Sequence, residues 1–276
     1  MGANNPELRA VEHRGCRLAY SVRGSGPPVL FIQGVGVHGD GWSPQTDALA
    51  DRFTCISFDN RGMGRSLPAA GEVTVEQMAD DALAVLDAAG AESAHVVGHS
   101  LGGAVALQLA LEARRRVKSL TLMCTFADGR AAAPLTLRMV WLGLRTKLGT
   151  RGMRRRAFLR LVMPPAALTD TDATAERLAP LFGHDLADQP PVASAQLRAM
   201  RKFKAAPRLG ELPGLPTLVL SGAHDPISPP RVSEALANGI PGAKHVAFAD
   251  ASHGLPISHA EQVNALLAGH FAEAGS

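Results

Sequence analysis

The hexapeptide Gly98-His99-Ser100-Leu101-Gly102-Gly103 constrains this chain more than any other segment, because it joins two apolar runs of different character. Ahead of it, Ala94 to Gly98 (AHVVG) reads as a strand buried on both faces; behind it, AVALQLALEA reads as a helix. A serine between two glycines at such a junction implies a turn too tight for side chains at 98 and 102, with the Ser100 hydroxyl turned outward. A helix starting near Leu101 aims its free N–H groups at any anion formed beside that hydroxyl.

Other apolar runs extend the pattern. Arg14 to Arg23, Pro28 to Gln33 (PVLFIQ), Phe53 to Asp59 (FTCISFD), Val117 to Cys124 and Thr217 to Ser221 read as strands, with Ala243 to Phe248 a weaker, alternating candidate. Between them, Thr74 to Ala89 reads as a helix opened by a Thr74/Gln77 capping box and stopped before Gly90; Ser258 and Glu261 predict the same box for the last helix. This alternation implies an α/β fold: a mostly parallel central sheet with helices on both faces. It fails once. After Cys124 no strand is expected until about Pro216, and Leu135, Met139, Val140 and Leu144 have helical spacing. We therefore expect a core made of residues 1–125 and 213–276, with residues 126–212 inserted as a helical cap. A chain of 276 residues, 46% hydrophobic and 19% charged, can bury such a core.

A serine hydroxyl is a weak nucleophile until a base takes its proton, and that base needs an acid to hold its tautomer. Asp225 follows the run Leu218-Val219-Leu220-Ser221-Gly222, so it falls at the carboxyl edge of the sheet, where ligands bind in open α/β folds. His253, in Ala251-Ser252-His253-Gly254, falls in the loop after the last strand. Of the ten histidines, His253 alone combines a loop position there with a following glycine: His99 adjoins the serine but should point elsewhere, His224 neighbours the acid, and His259 and His270 fall on the last helix. The order Ser…Asp…His completes a candidate triad of Ser100, Asp225 and His253. Two oriented backbone N–H groups would stabilise an oxyanion: Leu101, and Val35 in the loop Gly34-Val35-Gly36. No phosphate loop, dinucleotide fingerprint or metal-ligand cluster stands out, so neither metal nor cofactor is expected. Gly34, Trp141, Met163 and Ile227 are candidates for substrate contact, with Met139, Leu161 and Val162 as further apolar candidates in the insertion.

Five segments in one order carry a family resemblance: Gln33-Gly34 with Trp42 downstream, Phe58-Asp59-Asn60-Arg61-Gly62-Met63-Gly64-Arg65-Ser66, Gly98 to Gly103, Gly222 to Asp225, and Ser252-His253-Gly254. Through them the chain resembles the α/β-hydrolase superfamily, and within it lactonase-like, haloperoxidase-like and small carboxylesterase-like proteins. The resemblance implies that Asp59 and Arg61 support the loops beside the site. Many relatives have His-Gly where this chain has Gln33-Gly34; enol-lactonase-like members also depart from His-Gly, which favours a lactone or activated ester over a bulky lipid. A serine nucleophile argues against the alkyl-enzyme chemistry of haloalkane dehalogenases and epoxide hydrolases. The implied function is a serine hydrolase of carboxylic esters or lactones working through an acyl-enzyme. Alternatives are a perhydrolase or C–C bond hydrolase using the same triad, or a slow-turnover ligand receptor.

The net charge of +3 does not call for a nucleic-acid partner, but basic residues concentrate between Arg130 and Arg208. Solvated helix faces account for most such surpluses; attraction of anionic substrates or lipid surfaces is the sharper reading. Three cysteines, Cys16, Cys55 and Cys124, lie in apolar surroundings and suit a reducing compartment. With no apolar segment at the N-terminus and no membrane-spanning run, a cytoplasmic protein acting on a small molecule is expected. Oligomeric state is not legible in the sequence.

Overall fold

A computed structural model describes residues 6–130 and 136–275, and at Arg138 the backbone alone. Leu135 therefore lies outside the described residues. The rest form one eight-stranded sheet with helices on both faces.

In chain order the strands are β1 (Glu7–His13), β2 (Cys16–Arg23), β3 (Pro28–Ile32), β4 (Thr54–Phe58), β5 (Ala94–His99), β6 (Val117–Met123), β7 (Thr217–Gly222) and β8 (Lys244–Phe248). In space they run β1-β2-β4-β3-β5-β6-β7-β8, with β1/β2 and β2/β4 antiparallel and every other pair parallel. The chain leaves β3 for β4 on one side and later returns to place β5 on the other. The loops after β3 and β5 thus diverge, opening a crevice at the carboxyl edge.

Side-chain alternation along the strands feeds two cores. Leu30, Ile32, Ile56, Phe58, Val96 and Leu122 point to one face, covered by α2 (Val75–Ala88), α3 (Leu101–Glu112) and α8 (Pro230–Gly239). Val29, Phe31, Cys55, Val97 and Met123 point to the other, covered by α1 (Ser43–Leu49) and α10 (Ala260–Glu273). Helix α3 is buried all round through Ala110 because it packs beneath the central strands.

Three local expectations are corrected. Arg14 and Gly15 are not strand but the two central residues of a hairpin, with φ of 44° and 72°, and they join β2 to the additional edge strand β1. At the last helix the Ser258/Glu261 box does not form: Ser258 ends the short α9 (Leu255–Ser258), its hydroxyl bonds the His259 ring, and no side chain caps α10. At α2, Thr74 accepts the Gln77 N–H as expected, while the Gln77 amide reaches forward to Asp81 instead of back to the cap.

Between β6 and β7 lie α4 (Leu137–Arg145), α5 (Arg151–Val162), α6 (Thr171–Phe182) and α7 (Ala193–Lys202). Leu159, Val162, Leu178, Phe182 and Val37 make a third, smaller apolar cluster over the carboxyl edge. Met200, Phe203, Leu209 and Leu212 instead join the main core. No helix among the described residues is long and apolar enough to cross a membrane.

Candidate active site

Ser100 sits on the turn from β5 to α3 with φ 56° and ψ −121°, a conformation costly for any residue with a Cβ. The fold holds it there from two sides: its N–H donates to the Met123 carbonyl at 2.9 Å, and the Thr125 hydroxyl donates to its carbonyl at 2.6 Å. Gly102 is required by close approach, since a Cβ there would run into the Ile32 carbonyl.

Two loops meet the serine. After β7, Asp225 turns back so that its Oδ1 accepts the N–H groups of Ile227 (2.8 Å) and Ser228 (2.9 Å). Its Oδ2 lies 2.8 Å from His253 Nδ1, and His253 Nε2 lies 2.9 Å from Ser100 Oγ. All three side chains are buried. The His253 loop is held from the segment between β6 and β7 as well, because the Gly254 N–H donates to the Val162 carbonyl at the end of α5.

His99 does not turn away from this group. Its Nε2–H donates to the His253 carbonyl at 2.8 Å, and the two rings stand 4.9 Å apart. Burial, followed by the neighbouring His253, holds its pKa down to about 3, so the ring stays neutral and props the His253 backbone without adding charge. His99, His253 and Cys124 offer ligand atoms within 4.8 Å of one another. His99 Nε2 and both His253 nitrogens are already engaged by the His253 carbonyl, Asp225 and Ser100, and burial followed by the Asp225 carboxylate pushes the Cys124 thiol well up.

The loop after β3 carries the other half of the site. The Gly34 N–H bonds the Gln33 side chain at 3.3 Å and the Gly36 N–H bonds Gln196 Oε1 on α7 at 2.9 Å. His184 Nε2 donates to the Gly36 carbonyl at 2.8 Å. Between these, the Val35 N–H has no internal partner among the described residues, and neither does the Leu101 N–H at the start of α3. Gly34 lets this loop close on the serine: a Cβ would stand 3.2 Å from Ser100 Cβ. Asp59 accepts the N–H groups of Gly39 and Arg65 and the Arg65 guanidinium, while Arg61 pairs with Asp81, so both tie loops together away from Ser100.

A cavity of about 480 Å³ opens over Ser100 and His253. Its wall is mostly apolar, with Phe158, Leu161 and Phe182 among its residues, and among the described residues Lys147 is its one Lys, Arg, Asp or Glu side chain. Of the residues expected to contact substrate, Gly34 and Ile227 line it, as do Met139, Leu161 and Val162. Trp141 and Met163 do not: Trp141 lies on the outside of α4 beneath the Arg145 guanidinium, and Met163 is buried in the third apolar cluster. A larger cavity, about 1140 Å³, lies between residues 62–76 and α7 and contains none of Ser100, Asp225 and His253.

Gln196 and His184 carry no sequence signal: one is a polar residue on α7, the other a loop residue just after α6, and their partner Gly36 lies 160 and 148 residues away.

The α/β-hydrolase fold family model matches residues 27–260. The chain belongs to the α/β-hydrolase family. This hydrolase is 32% identical over 259 residues to the proposed carbamate hydrolase RutD of Azorhizobium caulinodans, spanning 93% of this chain and 95% of that protein. Among solved structures, a thermophilic esterase from Thermogutta terrifontis superimposes with a TM-score of 0.79 at 27% identity, covering 99% and 100% of the two chains. Est816, described as an N-acyl homoserine lactone degrading enzyme, gives 0.78 at 27% identity, covering 95% and 99%. Family membership supports an enzyme of the hydrolase class.

Proposed function

We propose that this α/β hydrolase cleaves carboxylic esters or lactones with an apolar acyl group through an acyl-enzyme on Ser100. The observation that carries the reading is the unbroken hydrogen-bonded path from Asp225 through His253 to Ser100. Asp225 fixes Nδ1–H on the imidazole, leaving Nε2 bare to take the serine proton as Oγ attacks the acyl carbon. The oxyanion formed is received by the N–H groups of Val35 and Leu101. His253 then returns the proton to the departing alkoxide, and water activated by the same imidazole releases the acid.

The cavity supports an apolar acyl group, with Gly34 and Ile227 in contact with it. We read residues 126–212 as the cap that shapes this cavity, and the buried free thiols as those of a cytoplasmic protein. A second reading, carbamate hydrolysis, is favoured by the likeness to RutD. The mostly apolar wall of the cavity nonetheless favours the first reading.

Turnover of p-nitrophenyl acetate and butyrate, a lactone panel and a carbamate by the wild type and Ser100→Ala tests both readings. The variant is expected to lose at least roughly three orders of magnitude in kcat. A fluorophosphonate should phosphonylate Ser100 with loss of fluoride, adding the reagent's mass less HF. Equal turnover by the two proteins on every substrate overturns the proposal, and a carbamate as the best substrate replaces it with the second reading.

A further inference from the structure

Helix α4 is apolar on the side facing the protein and on the side facing water. Leu142 is buried, whereas Leu137, Val140, Trp141, Leu144 and, in the following turn, Leu148 are between 46% and 90% exposed. Their spacing of three and four residues gathers them into one stripe along about three turns. Single exposed leucines need no explanation, but a contiguous stripe of five marks a surface that something covers.

Charge identifies what covers it. Arg145 and Lys147 flank the stripe on opposite sides, and the Arg145 guanidinium lies 5.7 Å from the Trp141 ring. From Gly129 to Thr169 the chain carries nine basic and no acidic side chains. A second copy placing the same face against itself would bring these cations together, which disfavours a symmetric dimer there. An anionic bilayer offers both complements at once, phosphates for the flanking cations and an acyl boundary for the apolar stripe, with tryptophan at the depth it prefers.

We propose that α4 docks this protein on an anionic lipid surface, lying in the plane of the interface with Leu137, Trp141, Leu144 and Leu148 inserted and Arg145 and Lys147 at the phosphates. Val140 and Leu144 also line the cavity above Ser100, so the docked face borders that cavity. The proposal does not depend on which bond the enzyme cleaves.

Co-sedimentation of the full chain with vesicles of phosphatidylglycerol and phosphatidylcholine, against pure phosphatidylcholine, tests it. Binding is expected to the anionic vesicles, weakened about tenfold in Leu137→Ser/Leu148→Ser by loss of apolar burial. A similar loss is expected in Arg145→Glu. Trp141 emission should shift to the blue on binding; the only other tryptophan, Trp42, is fully buried and contributes a constant background. None of these substituted residues lines the cavity, so unchanged turnover of a soluble ester and unchanged Tm certify that the variants fold. The proposal is overturned if the wild type ignores anionic vesicles, if the serine variant binds them equally well, or if the wild type proves a dimer that ignores vesicles and the serine variant a monomer.

Discussion

Gln196 Oε1, on α7, accepts the Gly36 N–H at 2.9 Å across 160 residues of sequence. With His184 holding the carbonyl of the same glycine, the loop after β3 is clamped by two side chains of the segment between β6 and β7. The clamp consumes the polar groups of Gly36 and leaves the Val35 N–H free for an incoming anion. The segment between β6 and β7 therefore fixes the loop that carries Val35, the donor proposed for the oxyanion.

Removing the acceptor should therefore affect reaction more than binding. Gln196→Ala is expected to lower kcat about tenfold while KM changes less than about twofold, since the role proposed for the Val35 N–H is exercised in the transition state and not on the resting substrate. Steady-state kinetics on p-nitrophenyl butyrate read the split; a rise in KM at constant kcat would mean that Gln196 merely shapes the cavity.

The carboxylate of Asp225 has two jobs on two oxygens, one satisfied by the backbone of its own loop and one facing His253. Asp225→Asn can keep the first and lose the second. It should leave Tm within about 2 °C and drop kcat by roughly four orders of magnitude, the cost of holding the wrong imidazole tautomer. Calorimetry beside kinetics separates this from collapse of the loop.

Arg61 and Asp81 form a two-pronged pair with both side chains fully buried, which is costly to split. Asp81→Ala should destabilise by about 3–5 kcal/mol, since it strands a buried guanidinium, whereas Arg61→Met/Asp81→Leu should recover most of that loss. Urea midpoints of the three proteins decide; a double variant no more stable than Asp81→Ala would contradict the pair.

Much of this architecture is legible in the sequence because strands β3 to β7 are buried on both faces and read as unbroken apolar runs. The turn that carries Ser100 is legible for a different reason: only glycine at position 102 tolerates the approach of α3 to β3, so the constraint is written in residue identity. Edge strand β1 is not legible, since Glu7–His13 is largely exposed and its charged residues mask the alternation. The Ser258/Glu261 box was a local match defeated by tertiary structure, which spends Ser258 on α9. Gln196 and His184 lie beyond reach because a hydrogen bond to a loop far away in the chain leaves no trace in local periodicity. Hydrophobicity alone makes Trp141 look like a pocket residue, yet α4 is apolar on both sides and the tryptophan faces out.

Buried neutral histidines make the fold sensitive to mild acid. Desolvation, then Lys118 and His270, holds His95 down to about 4; its Nδ1 bonds the Ser119 hydroxyl, and its Nε2 has no partner among the described residues, so a second proton would strand a buried N–H. His99 and His270 are lowered as well, each chiefly by burial. The unfolded chain protonates these rings near pH 6.5 and the folded one does not, so the stability they contribute is whole above about pH 6.5 and is lost as pH falls toward 4. For His95 the loss at pH 5 is on the order of 2 kcal/mol, or several degrees in Tm for a chain of this size. His95→Asn keeps a group able to bond Ser119 and removes the titration, so its Tm should fall less than the wild type's between pH 7 and pH 5. Parallel curves for the two proteins over that interval would place the acid sensitivity elsewhere.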